Sequence, residues 1–164
     1  MKKHGFIKDQ HGNYITARPV SDDDIINLYK GIISRRFQRG KAISSPRDIK
    51  ELFVSMISDY DHEVFLIAFL DTRHRIIAIE EMFRGTIDGC EIHPRIVVKR
   101  ALELNAAATI LAHCHPSGDT SPSNADKRIT QRLKEALSLV DTRVLDHIIV
   151  GGLDTASFAE MGLL

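Results

Sequence analysis

The stretch ILAHCHPSGDTSPSNAD, Ile110 to Asp126, runs an apolar segment into two histidines, then a loop of turn formers, then an aspartate. AAATILAH (106–113) is short and apolar on both sides, which predicts a buried strand. Strand side chains alternate faces, so His113 and His115 point the same way at its end. PSGDTSPS then turns the chain, and NADKRITQRLKEALSLV (124–140) places Ile129, Leu133, Leu137 and Val140 on one face of a helix. Asp126 sits eleven residues beyond His115, in that helix's first turn. Two imidazoles and a carboxylate suit Zn²⁺ and leave a fourth position for water, as a catalytic site does. Ser123 has cap spacing, and its hydroxyl, held beside a metal, can also meet a developing oxyanion. An H-x-H pair on a strand is, by itself, more often no site at all, and spacing leaves that plainer reading open.

Upstream, DQHGNY predicts a hairpin within residues 1–20. SDDDIINLYKGIIS reads as a first helix, with Ser21 and Asp24 at capping-box spacing and Ile25, Leu28, Tyr29 and Ile32 as its apolar stripe. SSPRDIKELFVSMIS reads as a second, capped by Ser45 with Pro46 at its first position. EVFLIAFLD and RIIAIEEMFRG are strand candidates joined by the turn TRH, and HPRIVVKRALELN is a helix with Val97, Ala101 and Leu104 on one face. RVLDHIIVG reads as the last strand, followed by a short tail; its neighbours Asp146 and His147 face opposite ways. Strands mixed with helices in this order indicate an α/β or α+β sandwich. The basic run RRFQRGK marks the expected boundary between an N-terminal arm and helix (1–41) and the main domain (42–164).

Lys+Arg and Asp+Glu number 22 each, so no overall field favours nucleic acid or a membrane surface. The basic run alone hints at nucleic acid: Arg35, Arg36, Arg39 and Lys41 for phosphates, Phe37 for a base, set against a solvated linker. No apolar run approaches the roughly 18–20 residues of a membrane span, and MKKHGFIKDQ lacks the apolar core of a secretory signal. A cytoplasmic location follows as the expectation. The two cysteines, Cys90 and Cys114, form no disulfide framework.

HCHPSGDTSPSNAD matches, residue by residue, the H-x-H-P-x6-S-x-x-D core of the JAMM (JAB, MPN+) metalloprotease motif. EEMFRGTIDGCEIHPRIVVKRALELNAAATILAHCHPSGD and RVLDHIIVGG resemble its RadC-like branch, over roughly residues 42–164. The resemblance implies a JAB/MPN-type, cytidine-deaminase-like sandwich: a mixed central β-sheet flanked by helices. It implies one zinc ion per chain held by His113, His115 and Asp126, with Ser123 supporting the tetrahedral intermediate. Chemically, an N/N/O set also accepts iron or manganese. The family's general base is an upstream glutamate that opens the first strand, which here selects Glu63 over Glu80 and Glu81, with a supporting role for Glu80 left open. Many members carry Ser where Cys114 stands, and Cys114 reads as strand packing. His93 is expected at a helix start, capping or packing, and Asp119 bridging turn amides. The implied activity is hydrolysis of a peptide or isopeptide bond in a protein or peptide substrate. The rival is a DNA-repair-associated factor with a structural or vestigial metal site, whose partners are DNA or DNA-bound proteins. Longer members add a module resembling helix–hairpin–helix DNA binders, and the forty N-terminal residues here show no such Gly-rich hairpin. Oligomeric state stays open, a homodimer included.

Overall fold

Two units divide the chain, residues 1–36 and 37–164. A computed structural model describes residues 5–16, 18–37, 39–43, 45–85 and 91–164, and Cys90 lies outside them. In the first unit, β1 (Phe6–Lys8) and β2 (Tyr14–Thr16) form the antiparallel hairpin expected around DQHGNY. Its turn closes because the Asp9 carboxylate accepts from the backbone N–H groups of His11 and Asn13, at 2.9 and 2.8 Å. Helix α1 (Asp22–Arg36) begins with reciprocal Ser21–Asp24 bonds, each 3.2 Å, as the capping box requires. Its stripe differs from expectation: Leu28 and Ile33 are buried, whereas Ile25 and Tyr29 are exposed. Periodicity marks a helix face as apolar without supplying a neighbour to bury it.

The second unit holds α2 (Pro46–Ile57), β3 (Val64–Leu70), β4 (Ile76–Arg84), α3 (Pro94–Glu103), β5 (Ala108–Cys114), α4 (Asn124–Ser138), β6 (Arg143–Gly151) and β7 (Asp154–Ser157). Before them, residues 40–43 pair with the β3–β4 turn: Gly40 N–H donates to Ile76 O, and Ile43 N–H to His74 O, at 2.8 and 3.0 Å. Phe37 is buried, so its ring is not presented to a nucleobase. The sheet order is β4-β3-β5-β6-β7, with β5–β6 parallel and the other pairs antiparallel. It is therefore mixed, as expected. Strand β7 lies in the stretch expected to be a tail: DTAS lacks an apolar alternation and pairs only along one edge.

All seven positions of β3 and all seven of β5 are buried, which is why both read as continuous apolar runs. Phe65, Ile67, Phe69 and Leu111 point to the face that α3 and α4 cover with Val97, Ala101, Leu133 and Leu137. Residues alternating with them point the other way, and α2 packs against β5, β6 and β7. Each fully buried Phe or Leu contributes about 1.5–3 kcal/mol. The sheet is thus clamped from both faces, and the ends of β5 and β6 are held rigidly where the histidines emerge. Among the described residues no helix is long and apolar enough to cross a membrane.

Candidate metal centre

His113 is the penultimate residue of β5, buried on the α3/α4 face, and His115 follows the strand on the same side. His115 stays in line because its backbone N–H donates to Val150 O on β6, at 2.8 Å. The chain then turns through Gly118, whose φ of +81° favours glycine. That turn returns the Asp119 carbonyl to His115, where it accepts from Nδ1 at 2.5 Å. Asp119 also closes the loop with its carboxylate, accepting from Ser121 N–H at 2.8 Å, the turn role expected of it.

Helix α4 completes the set. Ser123 Oγ accepts from Asp126 N–H at 3.1 Å, and Ser123 N–H donates to Asp126 Oδ2 at 2.8 Å, a full capping box. The Ser123 hydroxyl also donates to Oδ2, at 2.6 Å, which leaves Oδ1 as the less encumbered oxygen. Oδ1 lies 3.2 Å from His113 Nε2, and Oδ2 lies 3.6 Å from His115 Nε2. The two Nε2 atoms are 2.8 Å apart. One ligand atom from each of His113, His115 and Asp126 therefore falls within 4.8 Å of the others.

This geometry can hold a cation. His115 Nδ1–H is committed to Asp119, so a neutral His115 presents a bare lone pair at Nε2. That lone pair faces a second imidazole nitrogen and a carboxylate, and only a proton or a metal ion reconciles the three. The electrostatics agree. Burial alone would raise the Asp126 carboxyl, but the imidazoles of His113 and His115 beside it hold it far below the usual carboxylate range. His115 is raised, chiefly by the Asp126 carboxylate beside it and against the effect of burial. The donor set and its spacing fit a first-row divalent ion such as Zn²⁺, with His113, His115 and Asp126 as the holders.

The other residues singled out in the sequence separate cleanly. Glu63 is half-buried and lines the same cleft of about 940 Å³ as the two histidines, Ser123 and Asp126. Phe65, Ile92, Arg128 and Arg132 also line it. Glu80 is held elsewhere: Arg100 on α3 donates to both its oxygens, at 2.8 and 2.5 Å, which removes it from any supporting role at the metal. Glu81 pairs with Arg84 at 2.8 Å. Cys114 faces away from the pair, buried, with its thiol donating to His62 O at 3.3 Å. His93 occupies the α3 cap position, but its ring makes no cap bond and packs edge-on to Phe83. His147, set aside in the sequence because its neighbour Asp146 faces the other way, enters the site. Its Nε2 lies 2.9 Å from His113 Nδ1, and burial pushes its pKa well down. No sequence signal marked it: His147 pairs with Leu111, two residues before His113 and on the same face, and that register is set only in the folded sheet.

Comparison with known proteins places the chain in a family. Residues 43–163 match the family described as the RadC-like JAB domain. A UPF0758 protein from Nitrosococcus oceani is 61% identical over 77% of this chain, and one from Thioalkalivibrio sulfidiphilus is 54% identical over 85%. The matches cover 57% and 62% of those relatives, so the chain spans about three fifths of their length. A UPF0758 protein from Vibrio cholerae is 46% identical over 92% of this chain and 95% of its own length. With its five-stranded mixed sheet and the match over residues 43–163, the chain belongs to the RadC-like JAB domain family and has a JAB/MPN-type fold.

Proposed function

We propose that the chain is a zinc-dependent hydrolase of the JAMM type, cleaving a peptide or isopeptide bond in a protein or peptide substrate in the cytoplasm. The observation that carries this reading is the convergence of His113, His115 and Asp126 in a cleft that Glu63 also lines. A zinc ion held there supplies Lewis acidity, which lowers the pKa of water and polarises a carbonyl. Glu63 takes the proton from the attacking water and passes it to the departing amine as the C–N bond breaks. Ser123 keeps its cap bond from Asp126 N–H while its own proton rotates about the Cβ–Oγ bond toward the developing oxyanion. His113, His115 and Asp126 hold the ion and nothing else.

Elemental analysis of protein purified without chelators tests the first half: about one zinc per chain in the wild type and none in His113→Ala/His115→Ala. Peptide-library cleavage tests the second, where Glu63→Gln keeps the metal and loses turnover. Full activity in Glu63→Gln sinks the mechanism. Absence of metal from the wild type brings forward the DNA-associated reading, which salt-sensitive DNA binding would then have to support.

A further inference from the structure

A hydrogen-bonded chain runs behind the metal site and returns to one of its own ligands. Thr130 lies one helical turn after Asp126 on α4, and its hydroxyl donates to the Asp126 backbone carbonyl at 2.6 Å. Threonine in a helix commonly makes this bond to the carbonyl four residues back. A hydroxyl has a single proton, so Thr130 Oγ1 has none left for its other partner, His147 Nδ1, also at 2.6 Å. His147 must therefore donate through Nδ1. Its ring is fully buried between Phe65 and Phe158 and has no carboxylate partner among the described residues, so it carries one ring proton rather than two. The proton being on Nδ1, His147 Nε2 is a bare acceptor, and the atom it faces at 2.9 Å is His113 Nδ1. His113 must then hold its proton on Nδ1 and present the Nε2 lone pair to Asp126 and His115.

We infer that Thr130 and His147 are positioning residues that set the tautomer of His113, so that Nε2 is the atom offered to the metal. The consequence for affinity rests on the metal-centre reading above; the tautomers themselves do not. Asp126 acts at both ends, anchoring the relay with its backbone carbonyl and facing the metal position with its carboxylate. Neither Thr130 nor His147 touches that position itself. Without the Thr130 acceptor, His147 is free to move its proton to Nε2, which would face the His113 Nδ1 proton and turn that ring away.

The experiment uses the full chain, with histidine tautomers read from long-range ¹H–¹⁵N correlations and zinc affinity from chelator competition. In metal-free wild type, His147 and His113 should each carry a proton on Nδ1; a proton on His147 Nε2, or a bare Nδ1 on His113, overturns the inference. Thr130→Val keeps the side-chain shape and should weaken zinc binding about 10–100-fold, with Thr130→Ser restoring it. Unchanged affinity in Thr130→Val, or a loss that Thr130→Ser shares, also overturns it. A wild type that binds no zinc but shows both Nδ1 tautomers defeats the metal reading and leaves the relay standing.

Discussion

Gly151, at the end of β6, lies against Gly118 in the loop after β5 so closely that a Cβ on it would collide with the Gly118 carbonyl and the Thr120 methyl. Backbone cannot yield as a flexible side chain can. Gly151→Ala should therefore push the 116–120 loop outward, at a cost of about 1–3 kcal/mol by urea unfolding. The same movement withdraws the Asp119 carbonyl from His115, so zinc affinity should fall together with stability. A variant that unfolds earlier yet binds zinc normally would show that the loop carries no such constraint.

A metal ion held by His113, His115 and Asp126 would compete with protons for one place, and the competition has a sign. Asp126 is depressed, so its contribution is present above its ordinary value of 3.8 and is lost as pH falls through its lowered value. His115 is raised, so its contribution is present below 6.5 and is lost as pH rises through its raised value. Between those limits the metal-free protein holds the pair intact. As pH rises from 6 through the raised His115 value, the chelated protein should lose stability, read as a fall in Tm. The zinc-loaded protein should move the opposite way, because fewer protons compete for the ligands. Asp126→Asn should flatten the dependence of the chelated protein; parallel thermal-melt trends with and without chelator would contradict the shared place.

Glu80 and Glu63 separate structure from chemistry. Glu80→Gln breaks a fork from Arg100 that is about one-third exposed, so the expected cost is small, roughly 0.5–1 kcal/mol. Arg100 holds the Glu80 carboxyl below its usual range, so that stability is present above the carboxylate range and disappears as pH falls through the depressed value. Glu80→Gln should therefore start from a lower plateau and converge with wild type as pH falls. Zinc content should not change, whereas Glu63→Gln should spare both zinc and stability.

Asp146 is a buried carboxylate with every bond accounted for. It accepts from His147 N–H at 2.7 Å, Ser157 Oγ at 2.6 Å and Ala159 N–H at 2.9 Å, fastening β7 and the final turn to β6. Asp146→Ala leaves those donors without partners and should cost about 2–4 kcal/mol. Hydrogen exchange should accelerate first at residues 157–161. Protection there equal to wild type would place the anchoring elsewhere.

Much of the molecule was legible before its structure. Apolar runs of strand length became β3 and β5, and their period placed His113 and His115 on one face. Spacing from Ser123 to Asp126 was a helix cap as written, and Pro46 after Ser45 opened α2. The Ile25–Tyr29 stripe failed because periodicity states which face is apolar and not whether enough surface exists to bury it.

Local covalent spacing thus determined what one segment could bring together: the two histidines through the strand period, and Ser123 with Asp126 through the first helical turn. Only tertiary structure decided the rest, because it depends on register between segments distant in the chain. The pairing of Leu111 with His147 brings a buried imidazole diagonally beside His113, and the return of α4 across β6 sets Thr130 against it. Asp119 meets His115 through its carbonyl, a group every residue has and no motif records. Sequence named the atoms that can hold a cation; packing decided which lone pairs they present.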